Sequence, residues 1–173
     1  MMVAKVFFGA RATCLVAAVL VLGTSFPALA RENMGIYENW GAFRDTLVPR
    51  CYAIAKALPS TMHREYQPYA TIDTWPKRGM RNQVHFRLSR KLATEPRLSL
   101  RIGGRSFALI GGGGDAWAAD ARMNAAITSA MRSASEMTVS ASDAQGNRFS
   151  NTWRLGGAAS AMDAAAIGCA RRR

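Results

Sequence analysis

Histidine is nearly missing from this 173-residue chain: His63 and His85 are the only two. Neither has a second imidazole or a thiol at ligand spacing, so the sequence offers no zinc site. The hydrolytic signatures are missing as well. There is no Gly-x-Ser-x-Gly elbow and no Ser-x-x-Lys acylation motif, and Gly111-Gly112-Gly113-Gly114-Asp115 is not followed by the Gly-Lys-Ser or Gly-Lys-Thr of a phosphate loop. That glycine run reads as a flexible turn between a strand and a helix. Asp115 and Asp120 lack the alternating oxygen ligands of a calcium loop. No cofactor and no metal is expected. Long apolar runs are absent too, since the stretch from Ala12 through Leu22 falls short of the roughly 18 residues a membrane span needs.

What is present begins with that stretch. Lys5 and Arg11 precede it, Gly23 to Pro27 breaks it, and Ala28-Leu29-Ala30 supplies small residues where signal peptidase requires them. The pattern predicts a cleavable secretory leader over 1–30 and a single domain over 31–173. Cys14 lies too early in the run for a lipoprotein. The mature chain is expected in the periplasm or cell envelope, or secreted, with no transmembrane segment after cleavage.

Acidic residues number 11 against 23 lysines and arginines. Lys5 and Arg11 are the only charged residues of the leader, so residues 31–173 hold 21 basic and 11 acidic groups, a net charge of +10. Nearly all of the positive charge is arginine, whose planar fork grips phosphate and carboxylate at two points. Export excludes nucleic acid as the expected partner and leaves anionic lipid, glycan or acidic protein. Solubility in an arginine-rich composition is the plainer reading. Cys51 and Cys169 remain after maturation. An oxidising envelope allows a bridge between them, while Cys169 also shares a helical face with Met162, Ala165 and Ala166, as a small buried hydrophobe would.

Along the domain, residues 31–39 read as a polar leader, and Trp40 to Phe43 and Cys51 to Ala55 as strands. Pro59 to Arg81 reads as a long loop with at most one short strand near Tyr69 to Ile72. Val84, Phe86 and Leu88 alternate with His85, Arg87 and Ser89, which predicts a half-buried strand. Leu98 to Ile102 and Arg105 to Ile110 flank a Gly103-Gly104 turn. Asp120 caps a predicted helix with Met123, Ile127, Ala130 and Met131 on one face. Met137 to Ala141 and Phe149 to Leu155 form a second hairpin, and an alanine-rich helix from Ala158 to Gly168 closes the domain before Arg171-Arg172-Arg173. The sum is a mainly β protein: about seven antiparallel strands in a sandwich or open barrel, with two short packing helices.

The outward positions of these strands include Arg87, Arg101, Arg148 and Arg154, which would form a basic stripe on one wet face if their strands share a sheet. His63 in the loop and His85 on a strand read as surface residues. Trp40, Trp75, Trp117 and Trp153 are candidate stacking platforms for sugars or bases, and of these Trp40 and Trp153 lie on strand patterns that favour a core role.

The export signal, the Trp40 strand leading to Arg50-Cys51-Tyr52-Ala53-Ile54-Ala55, the run Phe107-Ala108-Leu109-Ile110-Gly111 through the Asp120 helix, and the closing Thr152-Trp153-Arg154-Leu155-Gly156-Gly157-Ala158-Ala159-Ser160-Ala161-Met162-Asp163 together resemble the invasion-associated locus B family over most of the mature chain. This resemblance implies an exported or envelope protein of the alphaproteobacterial kind, β-rich, with host-cell interaction in pathogenic members and no catalytic residues to carry over. The chain departs from the family's cysteines: Phe43 and Arg44 stand where a cysteine usually follows the opening tryptophan, and the central pair is absent.

Three function classes follow. The first is a non-enzymatic envelope protein that binds an envelope or host-surface protein or has a structural role. The second is an arginine-mediated binder of anionic envelope lipid or glycan, and the third a periplasmic hydrolase with a site near His63 or Asp73.

Overall fold

The computed structural model describes residues 31–170; the leader reading and the terminal arginines lie outside them. The chain runs through β1 (Glu32–Tyr37), β2 (Trp40–Asp45), β3 (Arg50–Lys56), β4 (Tyr69–Trp75), a 3₁₀ turn (Pro76–Arg78), β5 (Met80–Arg87), β6 (Leu98–Ile102), β7 (Arg105–Gly112), β8 (Asp115–Trp117), α1 (Ala121–Met131), β9 (Glu136–Ser142), β10 (Arg148–Arg154) and α2 (Ala158–Ala170). The strands form one antiparallel order, β1-β2-β3-β4-β5-β8-β7-β6-β9-β10, which is not closed into a ring. Although β10 lies at the opposite end of that order from β1 and β2, Arg154 O accepts from the Trp40 indole at 2.9 Å and Thr152 O from Leu58 N at 2.7 Å.

Strong alternation produced the elements where the core face is apolar. Leu98, Leu100 and Ile102 are buried between exposed Ser99 and Arg101, and Met137, Val139 and Ala141 between exposed or half-buried polar residues. Gly103, at φ +55°, lets the chain reverse in two residues between Ile102 and Arg105. Asp120 caps α1 by accepting from Met123 N at 2.7 Å. In α2, Ala158, Ala161, Met162, Ala165 and Cys169 form the buried stripe, packed against β1, β2 and β3.

Ten strands, not about seven, make the sheet. Residues 32–37 are an edge strand and not a polar leader; a register shift between Asn33 and Gly35 breaks the alternation that would have marked it. The supposed loop to Arg81 contains all of β4, the 3₁₀ turn and the start of β5. Thr71 and Asp73 are as buried as Ala70 and Ile72, so polarity does not track exposure there. The glycine run is not a loop into a helix: Gly111 and Gly112 belong to β7, Gly113 and Gly114 turn the chain, and β8 follows.

Cys51 on β3 and Cys169 in the last turn of α2 form a disulfide, with Cα atoms 5.8 Å apart at a sequence separation of 118. The buried-thiol alternative for Cys169 is thereby set aside. Closing so long a loop removes about 4–5 kcal/mol of unfolded-state entropy in the chain-entropy model.

Candidate functional site

The bridge also fixes which way the sheet faces. Cys51, Ala53 and Ala55 point toward α2 and the core, so Tyr52 and Ile54 project from the opposite face. Strand register carries that opposite face across the sheet. Tyr52 lies opposite Asp73, and Asp73 opposite Gln83; Ile54, Thr71, His85, Trp117 and Ile110 make the next row; Tyr69, Arg87, Asp115 and Gly112 make the third. Both helices pack on the other side or at the edge, and this face is lined instead by ion pairs and rings.

Two carboxylates organise it. Asp73, 3% exposed, accepts from Arg50 Nε at 2.7 Å and from Thr71 Oγ1 at 2.7 Å. The Arg50 guanidinium also lies 4.2 Å from the Tyr52 ring centre and 5.1 Å from that of Trp75, whose other neighbour is Arg78 at 4.8 Å. Asp115 receives Arg87 Nη1 at 2.6 Å on one oxygen and His85 Nε2 at 3.0 Å on the other. The His85 ring stacks on Trp117 at 5.2 Å and meets the edge of Tyr69 at 5.9 Å. Arg87 also covers Tyr66 at 3.9 Å. Burial pushes the Tyr52 hydroxyl pKa up, with Asp45 and Asp73 adding to the rise against Arg31 and Arg50.

The arrangement holds planar and charged groups in fixed positions on a sheet, which suits recognition of a partner that stacks or forks against it. The one hydroxyl held by a carboxylate in this cluster, Thr71 on Asp73, is buried at 1% exposure. Among the described residues no three histidine, cysteine or acidic side chains gather to hold a metal. Two concave spaces lie elsewhere. One of about 310 Å³ sits between the Gly103-Gly104 turn and Ser129 to Ala134 of α1 and its end, and one of about 10 Å³, room for a single water, lies between Leu58, Ser89, Phe149 and Asn151. Neither is lined by His63, Asp73 or His85.

The four arginines singled out by pattern do not form one cluster. Arg87 is half-buried and bound to Asp115. Arg101 is exposed on β6 beside Thr138, and Arg154 is exposed on β10 beside Glu136, so these two flank β9. Arg148, also exposed, stands six residues away along β10, about 20 Å. His63 is exposed, and its carbonyl accepts from Arg90 Nε at 2.9 Å. His85 is half-buried within the cluster and is not a free surface residue. Trp40 and Trp153 are in the core at 0% exposure. Asp115 and Asp120 are separated by β8 and the α1 cap, with Asp120 engaged as that cap.

Pattern reading named Trp75 and Trp117 as candidate stacking platforms but missed Arg50 and the pairing of Asp115 with His85. The signal was Thr71-Ile72-Asp73, His85-Phe86-Arg87 and Asp115-Ala116-Trp117, three short segments in which polar or aromatic residues alternate with buried apolar ones. Family models, curated proteins and solved structures were all compared with the chain, and none matches it.

Proposed function

We propose that this is an exported envelope protein with a non-enzymatic binding role, and that the half-buried part of the aromatic and ionic face, Tyr69, His85, Arg87, Asp115 and Trp117, is its contact surface. The observation that carries the binding role is the state of the two carboxylates. Asp73 and Asp115 are each neutralised by an arginine and ringed by aromatic side chains, which leaves rigid recognition groups instead of a free acid or base. The Cys51–Cys169 bridge supports an oxidising compartment and so agrees with cleavage after Ala30. Membership in the invasion-associated locus B family is part of the same proposal and rests on the sequence segments that resemble it.

The test is retention of envelope and host-surface extracts on the immobilised protein, at low and high salt, for the wild type and Trp117→Ala. A protein held by the wild type at both salts and lost with Trp117→Ala is the expected result. Equal retention by the variant removes the aromatic and ionic face from the account, and no retention by either removes the binding role.

A second reading has its own observation. Arg101, Arg148 and Arg154 are exposed and have no acidic partner within ion-pair distance among the described residues. Anionic glycan or lipid retained only at low salt, and released when Arg101 and Arg154 become alanine, would favour it.

A further inference from the structure

The β2–β3 turn, residues 46–49, carries two large apolar side chains into solvent: Leu47 is 67% exposed and Val48 51%. An isolated exposed leucine means little. This pair stands at the end of the sheet where positive charge also collects. Arg31, the first described residue, reaches Asp45 there at 3.6 Å. The β4–β5 turn lies alongside, because Trp75 has Arg50 from β3 on one side and Arg78 from the 3₁₀ turn on the other. Arg44 donates to Gly168 O at 3.3 Å, which brings the last turn of α2 to the same end.

The acids at this end are already engaged: Glu32 by Arg44, Asp45 by Arg31 and Arg50, Asp73 by Arg50. Lys77 and Arg78 have no acidic partner among the described residues. The pole therefore offers uncompensated cations, a tryptophan between two guanidiniums and an apolar tip.

We infer that this pole docks on the surface of a bilayer containing anionic lipid. Leu47 and Val48 enter the boundary between headgroups and acyl chains, Lys77 and Arg78 face lipid phosphates, and Trp75 lies at headgroup depth. A glycan could answer the cations but has no use for an exposed Leu-Val pair, and that commits the surface to lipid. The pole adjoins the aromatic and ionic face through Arg50, Asp73 and Trp75, but Trp117, His85 and Tyr69 take no part in it, so Trp117→Ala tests the face without touching the pole.

The experiment uses the full-length chain, purified as the expressing cell processes it. Cosedimentation is measured with vesicles of phosphatidylcholine alone and with about one-third phosphatidylglycerol. The wild type is expected to bind the anionic vesicles at least tenfold more tightly than the neutral ones. Leu47→Ser with Val48→Ser should weaken that binding about tenfold, and Lys77→Glu with Arg78→Glu on the order of 30-fold or more. Arg148→Ala with Arg154→Ala should leave it unchanged. Binding that is equal on neutral vesicles, or indifferent to both pole variants, overturns the inference. Loss of anionic selectivity only in the Arg148 and Arg154 variant also overturns it and moves lipid binding to β10.

Discussion

Asp73 and Asp143 are the two carboxylates most fully withdrawn from water, each 3% exposed. Asp73 owes its tolerance to Arg50 and Thr71, so Asp73→Asn keeps the shape and strands the guanidinium. A loss of about 2–3 kcal/mol in urea unfolding is expected. Burial acts to raise the pKa of Asp143, but Arg90, the N–H groups of Asn147 and Gln145, and the Asn147 amide hold it below the ordinary carboxylate value. The sign follows from linkage: a carboxyl with a depressed folded pKa contributes stability above its unfolded value, near 4, and that contribution drains as pH falls through the folded value. Melting temperature measured from pH 7 down to pH 2 should therefore fall less steeply for Asp143→Asn than for the wild type. At pH 7 the variant should melt several degrees lower. Asp163, which Arg132 holds in the same direction, adds to the acid limb from the exposed contact between α1 and α2. The residue scale is also where sequence reading was weakest. Alternation placed Asp73 in a loop and His85 in solvent, because a buried ion pair removes the usual match between polarity and exposure.

At the scale of elements, legibility depended on how one-sided each segment is. The β6–β7 and β9–β10 hairpins and α1 have apolar residues on one face and a turn or cap of suitable chemistry, and all three were readable to within a residue or two. β1 carries a register shift, β4 has two buried faces, and β8 is three residues long inside a glycine run. Nothing local reveals that β8 inserts between β5 and β7, yet that pairing is what brings Asp115 to His85 and Arg87. For α1, Asp120→Ala removes the side-chain acceptor for Met123 N, and a loss of about 1 kcal/mol is expected in the same urea assay. For α2, the mean packing is through alanine, with Met162 and Cys169 as the larger contacts, so its attachment leans on the bridge. Reduction of the disulfide should lower stability by up to about 4–5 kcal/mol. It should also speed amide exchange in α2 before exchange in β6 or β9. Equal acceleration everywhere would mean that α2 does not open as a separate unit.

At the scale of the whole molecule, an antiparallel sheet of ten strands is stapled through α2, and the two surfaces of interest meet at Arg50, Asp73 and Trp75: an aromatic and ionic face on β3, β4, β5 and β8, and a basic pole with an apolar tip where β2 turns into β3. The mainly β character and the two helices were legible from alternation and capping, and the cysteine bridge as one of two readings; the face and the pole depend on register and on which turns lie side by side, which no local pattern encodes. The central claim is that the molecule is exported and works as an oxidised binding domain. The most direct measurement is intact mass of the full-length gene product recovered from separated cytoplasmic and envelope fractions, after alkylation in denaturant without reductant. The account predicts an envelope species beginning at Arg31 that takes up no alkylating reagent. A cytoplasmic species that retains residues 1–30 and carries alkylated Cys51 and Cys169 would contradict it.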